Sequence, residues 1–489
     1  MAISSSSVPS PHSERGGRQH ARLGAQSAAR PAVAALLLTA LTVGALLRLW
    51  HLGVPELSPD EAASWAAAAA PTVAGVVKRS AQLNPGKLAA YDLVLHGWIW
   101  TFGDAVLTMR LLSVGLGVGA IALAFWVARE ALLLSPEEAL PAASTDYAAA
   151  VTALLFAVSL AMVKYTREAR MYPLVMAAAL AQTGFLLRAH RRGGQANYAA
   201  VALFTVLSMA ANFTAVFLAA AQALWLVLSK EGRRYGFPWR PLLALAAGAI
   251  ALAPALGLAI RTSATALAEG ALNWISPPSW WSIFSFFNRS AGTFPFPVLL
   301  ALAVWGAVAQ WRRRSAAIVF ALFWMWGPVL MLYLMSIAVT PLLVERYALS
   351  SLVAFMLLAA LGIDAFASAR MRTGAIAIAV AVCIAHVGAF LKKPPSLQWT
   401  HALAHIETGL AAGAIAVAPG YGANVLRYYL KHRGQYQVSG LTPDSCAKSD
   451  VLFLWDHAAT GPGGAQVAAC RLTFSHPMFA EKDVAVMTR

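Results

Sequence analysis

Apolar stretches long enough to cross a bilayer recur along most of this chain, and that recurrence constrains its fold more than any other feature. A spanning helix needs roughly 20 mainly apolar residues. The first such run goes from Pro31 to Trp50, and others lie near 107–128, 147–163, 172–188, 197–211, 214–229, 241–260, 296–311, 315–337, 346–367 and 373–391. In lipid every backbone N–H and C=O must be paired internally, so only helices and closed barrels span. Barrel strands alternate polar and apolar residues, and these runs do not. Only 12% of the residues are charged, against roughly 25% in soluble domains. The sequence predicts an all-α polytopic membrane protein with about eleven transmembrane helices.

The net charge of +16 does not point to nucleic acid, because the basic residues fall in short loops between alternate runs. Arg15, Arg18, Arg22 and Arg30 precede the first run. Later come Arg188, Arg191 and Arg192; Lys230, Arg233, Arg234 and Arg240; Arg312, Arg313 and Arg314; Arg370 and Arg372. All fall on one side if the count holds, and that side is cytoplasmic. The expectation is a multi-pass protein of the cell inner (plasma) membrane, N-terminus cytoplasmic and C-terminus extracytoplasmic. Residues 1–29, rich in Ser, Gly and Arg, should form a disordered basic cytoplasmic tail, and the first run an uncleaved signal anchor. The transmembrane domain covers 30–391, with an outer loop at 51–106, and an extracytoplasmic α/β domain covers 392–489.

The outer loops hold the unusual polar residues. The first contains ELSPDEAASW, where Glu56, Asp60 and Glu61 lie close together in a chain with 21 acidic and 37 basic residues. A carboxylate cluster at a membrane edge is costly without a role, and a carboxylate can take a proton from a hydroxyl nucleophile. The same string also reads as a helix start, with Ser58 as N-cap, Pro59 at the first position and acids complementing the helix dipole. Asn84-Pro85-Gly86-Lys87 opens a second segment whose Trp98, Trp100 and Phe102 suit an interfacial helix. His96 in that segment is either a ligand or a packed, hydrogen-bonding residue. Another outer connection reads KYTREARMYP. A long one, 261–295, carries Trp274, Trp280 and Trp281 as interface anchors or as a lid. Within 392–489, residues 413–420 and 451–457 read as strands and 423–432 as a helix, with no G-x-G-x-x-G fingerprint. Cys383 lies in a span, whereas Cys446 and Cys470 could pair in an oxidising compartment.

The order of a first span, a DE pair, an Asn-Pro turn, Leu95-His96-Gly97-Trp98, Phe102-Gly103-Asp104 and Arg110-Leu111-Leu112-Ser113 resembles one family. It is that of the polyprenyl-phosphate-dependent, membrane-embedded glycosyltransferases of the GT-C fold, nearest the protein O-mannosyltransferases and the aminoarabinose transferases of lipid A. The likeness continues through Arg167-Glu168-Ala169-Arg170-Met171-Tyr172 to Arg346-Tyr347 and covers roughly 30–430. It implies an inverting transfer from a polyprenyl-phosphate sugar to a hydroxyl of a lipid, glycan or protein acceptor. Asp60 would be the base, with Glu61 beside it. Lys87, Arg110, Arg167, Arg170 and Arg346 would be candidates for the leaving phosphate. Asn84, His96, Tyr172 and Tyr347 stand in the same motifs. Glu168 matches an acid that in some relatives helps hold a divalent ion, so Asp60, Glu61 and Glu168 could bind Mg²⁺ or Mn²⁺ through oxygen. The competing reading pairs Glu168 with Arg167 or Arg170, and Glu345 with Arg346. Readings from another class are a lipid or solute transporter, or a non-catalytic glycan-assembly subunit. Transporters show repeats with midplane polar residues, whereas here charges cluster at outer span ends.

Overall fold

Helices form over all eleven apolar stretches in the computed structural model, which describes residues 31–83, 87–135, 142–255, 257, 275–393, 399–455, 464–474, 476–481 and 484–489. The tail 1–29, Asn84 and Trp274 lie outside the described residues. Helix α1 (Pro31–Leu49) is followed by three helices of the first outer loop, α2 (Pro59–Ala68), α3 (Val73–Leu83) and α4 (Ala90–Phe102). Then come α5 (Val106–Leu132), α6 (Ala142–Val158), α7 (Leu160–Tyr165), α8 (Tyr172–Arg192), α9 (Gln195–Ala211), α10 (Val216–Leu228) and α11 (Trp239–Ala251). Amphipathic α12 (Ser282–Ala291) buries Phe286 and Phe287 and follows the exposed Trp280 and Trp281. Helix α13 (Pro295–Ala338) is broken at Arg314, whose φ of −133° and ψ of 27° leave the helical region. The chain continues through α14 (Leu349–Asp364), α15 (Ala369–Leu391) and α16 (Trp399–Gly409). Four helices, α1, α5, α13 and α15, are long and apolar enough to cross a membrane. Helices α9, α10, α11 and α14 are apolar but shorter. These four helices cover five of the eleven expected runs, α13 carrying two of them on either side of its break.

The core is built around α14, every residue of which is buried. A helix apolar on all sides belongs inside a bundle. Its closest crossing is with α13, where Gly362 packs on the Leu302 carbonyl and Gly306 on the Leu358 carbonyl, so that any Cβ there would clash. Small residues at such crossings let backbones approach and gain dispersion where lipid offers no hydrophobic drive. Helices α8, α9 and α10 are joined by a buried amide and hydroxyl network. In it Gln182 donates to Gln222 at 3.0 Å, Gln222 to Thr183 at 2.9 Å and Ser208 to Gln182 at 3.2 Å.

The C-terminal part holds a five-stranded sheet. Its elements are β1 (Gly413–Ala418), α17 (Ala423–Tyr429), β2 (Tyr436–Gly440), α18 (Pro443–Lys448), β3 (Val451–Trp455), α19 (Gly464–Thr473), β4 (His476–Glu481) and β5 (Val484–Thr488). The strand order is β2-β1-β3-β5-β4. The pairs β1–β2 and β1–β3 are parallel, while β3–β5 and β4–β5 are antiparallel. Parallel neighbours need a crossover, supplied by α17 and then α18. A disulfide between Cys446 and Cys470 ties α18 to α19.

This layer sits on the first outer loop. The Glu56 carboxylate accepts from the backbone N–H groups of Trp399 (2.5 Å) and Thr400 (3.0 Å) and from the Thr400 hydroxyl, capping α16 from another segment. Asp104 accepts from Lys431 at 2.6 Å and from the Trp65 indole at 2.8 Å, and its carbonyl accepts from the Tyr428 hydroxyl at 2.9 Å. The Tyr429 hydroxyl accepts from the Leu57 amide at 3.0 Å.

Candidate active site

The string Ser58-Pro59-Asp60-Glu61 does start a helix. The Ser58 hydroxyl accepts from the Glu61 amide at 3.3 Å, and the Glu61 carboxylate accepts from the Ser58 amide at 3.0 Å, a reciprocal capping box with Pro59 in the first turn. This settles which acid serves the helix. Glu61 is 1% exposed. Its two oxygens also take Nε and Nη2 of Arg110, each at 2.8 Å, and the Ala169 amide at 2.9 Å. Burial pushes the Glu61 carboxyl up, but the Arg110 bonds and the Ala169 and Ser58 amides outweigh it and hold it below the usual carboxylate range. The other Arg110 donors go to the carbonyls of Leu52, Pro55 and Glu56. Glu61 and Arg110, expected at the catalytic and phosphate positions, instead form a buried clamp between α2, α5 and the 164–171 connection. Arg167, another phosphate candidate, donates to the Leu47 and Arg48 carbonyls at 3.0 and 2.9 Å and closes the end of α1.

Asp60 faces outward. Its side chain is 58% exposed, and Nη1 of the buried Arg170 lies 2.7 Å from its Oδ1. Burial of its surroundings pushes the carboxyl up, but Arg170, Lys87 and Arg346 hold it below the usual range. Asp60, Lys87, Arg170 and Arg346 thus form one electrostatic cluster. Arg170 stacks over Tyr172 at 5.6 Å and Arg346 over Tyr347 at 5.8 Å. Arg170 pairs with Asp60 and not with Glu168. Glu345 pairs with Arg289 at 2.5 Å. Burial, then the neighbouring Glu61 carboxylate, push Glu168 up to about 7. Burial and Arg170 push the Lys87 ammonium down, against the pull of Asp92 and Asp60. Asp92 is buried, accepts from the Ser80 hydroxyl at 2.6 Å, and is pushed up by its own desolvation.

Beside the cluster runs a narrow groove with an open volume of about 20 Å³. Arg346, Tyr172 and Tyr347, at the N-terminal ends of α8 and α14, line one part, and Val175, Met176, Leu218 and Pro328 line its apolar wall. His96 bonds to the Ala68 carbonyl at 2.7 Å and packs the end of α2. Among the described residues no three or more His, Cys, Asp or Glu side chains group as a metal site. Asp60, Glu61 and Glu168 do not fit one, because Glu61 is saturated by Arg110 and by the Ser58 and Ala169 amides.

Sequence reasoning gave no role to Asp92, Asp104 or Tyr421. The first two are the acids inside or closing an otherwise apolar helix, a visible signal. Tyr421 has no local signal. It stands 57% exposed on the single turn Gly420–Gly422, edge-on to Trp455 at 5.6 Å. Desolvation and the Asp60 carboxylate push its hydroxyl up. The site offers an ionised, reachable carboxylate among fixed cations at the end of an apolar groove. It can accept a proton from a hydroxyl and stabilise an anion that leaves.

No family model matches the sequence, and no curated protein does. Solved structures do match. ArnT from Cupriavidus metallidurans in the apo state aligns with a TM-score of 0.60 at 12% identity, over 94% of this chain and 98% of that one. The same protein bound to undecaprenyl phosphate gives 0.57 at 13% identity, over 93% and 97%. The apo oligosaccharyltransferase of Archaeoglobus fulgidus gives 0.53 at 12% identity, over 89% of this chain and 71% of that one. At such identities the likeness is one of fold, and the fold is the GT-C fold that the sequence resemblance implied.

Proposed function

We propose, with the GT-C fold as premise, that the protein is a membrane glycosyltransferase. It moves a sugar from a polyprenyl-phosphate donor to a hydroxyl of a lipid, glycan or protein acceptor on the outer face, with inversion. The observation that carries this reading is the exposed Asp60 carboxylate, held by Arg170 and influenced by Lys87 and Arg346, next to a groove that turns from polar to apolar. The prenyl chain lies along Val175, Met176 and Leu218. The donor phosphate meets Arg346, Lys87 and Arg170. The acceptor oxygen attacks the anomeric carbon, its proton passes to Asp60, and the bond from that carbon to the phosphate oxygen breaks. Guanidinium forks meet the charge that develops on the phosphate. One protein of the same fold, ArnT, has been solved bound to undecaprenyl phosphate. No step runs through a metal ion.

In this reading residues 30–391 form the catalytic membrane domain and 392–489 an extracytoplasmic domain of the inner membrane protein. The Lys/Arg asymmetry and the Cys446–Cys470 bond, favoured in oxidising compartments, support that orientation. The test is Asp60→Asn in lipid nanodiscs with a polyprenyl-phosphate sugar. The expected result is a loss of roughly 10²–10⁴ in transfer rate with unchanged melting. Near wild-type transfer by a well-folded variant would exclude Asp60 as base and favour a transporter or assembly subunit.

A further inference from the structure

Between the segment 51–106 and the sheet domain lies a second cleft, of about 370 Å³, away from the first groove. Trp65 of α2 and Ala69 just past its end, Arg79 and Gln82 of α3, and Asn424 and Arg427 of α17 line it, and among the described residues no acid does. The two guanidiniums are held by neutral oxygens. Arg79 donates to the Ala66 carbonyl at 3.2 Å. Arg427 donates to the Val438 carbonyl at 3.1 and 2.9 Å and to the Asn424 side chain at 3.0 Å. A guanidinium has five N–H donors, so both keep donors for a ligand. They also press on each other: desolvation and the Arg79 charge together push Arg427 down. Two fixed cations facing one space without a carboxylate are relieved by an anion, and their forks match phosphate or carboxylate oxygens. The amides of Gln82 and Asn424 suit sugar hydroxyls.

We propose that this cleft binds an anionic group, a phosphate or carboxylate borne by a sugar or lipid headgroup, at a place separate from Asp60. The anion site stands without the glycosyltransferase reading. Trp65 follows Asp60 by five residues on one helix, roughly 140° away around its axis, so the cleft opens on the other face of α2 from the carboxylate. Val73 and Val77 on α3 are exposed, as on a helix lying in a bilayer interface, which gives a lipid-borne headgroup a way in.

The test uses the full chain in phosphatidylcholine nanodiscs, titrated calorimetrically with glucose 1-phosphate and with glucose. Glucose 1-phosphate should bind and glucose should not. Arg79→Gln/Arg427→Gln should weaken binding by about tenfold or more, whereas Arg346→Gln and Asp60→Asn should leave this binding in place. Arg79→Gln alone serves if the double variant melts early. Nanodiscs containing phosphatidylglycerol separate the sources. Weakened glucose 1-phosphate binding there assigns the site to a lipid headgroup, and unchanged binding assigns it to a soluble-facing sugar anion. Equal binding of glucose, unchanged binding by the double variant, or loss in Arg346→Gln instead, would each overturn the proposal. If Asp60→Asn keeps transfer while the double variant still loses binding, the catalytic reading fails and the anion site stands.

Discussion

Asp60 and Glu61 are neighbours of the same chemistry with opposite fates. One residue step along the helix, about 100° of rotation, faces Asp60 to solvent and turns Glu61 onto Arg110. Removing Glu61 as Glu61→Ala leaves Arg110 buried and uncompensated, so about 3–5 kcal/mol of stability should be lost, read as a large fall in Tm in detergent. Asp60→Asn should leave Tm in place and remove transfer. Arg346 poses the second test. A bidentate phosphate clamp does not tolerate lysine, which offers a point charge without the fork. Arg346→Lys should therefore raise the donor KM while melting changes little, and an unchanged donor dependence would return Arg346 to a structural role. Charge near the phosphate also depends on pH. Glu168 is neutral below about 7 and anionic above it, and Lys87, held below the usual lysine range, loses its charge in the same direction. Donor affinity should fall as pH rises through about 7, and Glu168→Gln should flatten that fall in titrations of KM against pH. The sequence pointed to the acidic pair but could not apportion it. The deciding partner, Arg110, lies 49 residues away.

Helix α2 is the element on which the site depends, and its start was legible because capping is local: Ser, Pro and Glu at fixed offsets suffice. The strands at 413–418 and 451–455 and the helix at 423–429 were legible for the same reason. The seat of the sheet domain on α2 was not. Glu56 and Thr400 are 344 residues apart, and Tyr421 reaches the neighbourhood of Asp60 only through that docking. Asp104 joins the two layers through Lys431, Trp65 and Tyr428. Its side chain is about one-third exposed, so Asp104→Ala should cost only ~0–1 kcal/mol. Its expected effect is on position: hydrogen exchange over α2 and α17 quickens, and kcat drops more than stability does. Exchange rates equal to wild type would show that the seat holds without it.

For the whole molecule, alternating basic loops point to an orientation, and composition points to the class. Helix length did not follow from either, because several apolar stretches are cut short by turns such as Asn212 and Ser229. Reporter fusions at Arg192 and Lys393 should report opposite sides of the membrane. If both report the cytoplasm, the outer-face site is lost with the topology.

The docking of the sheet onto the first loop also sets a timetable. Loop 51–106 leaves the ribosome early, while Trp399, Thr400, Tyr428 and Lys431, which hold it in place, are made hundreds of residues later. Asp60 is therefore exported long before its surroundings exist. A chain halted before the sheet would carry its carboxylate and cations yet lack the seat of α2. On the proposed topology and function, synthesis itself would keep the protein inactive until segment 392–489 had crossed the membrane and closed on 51–106.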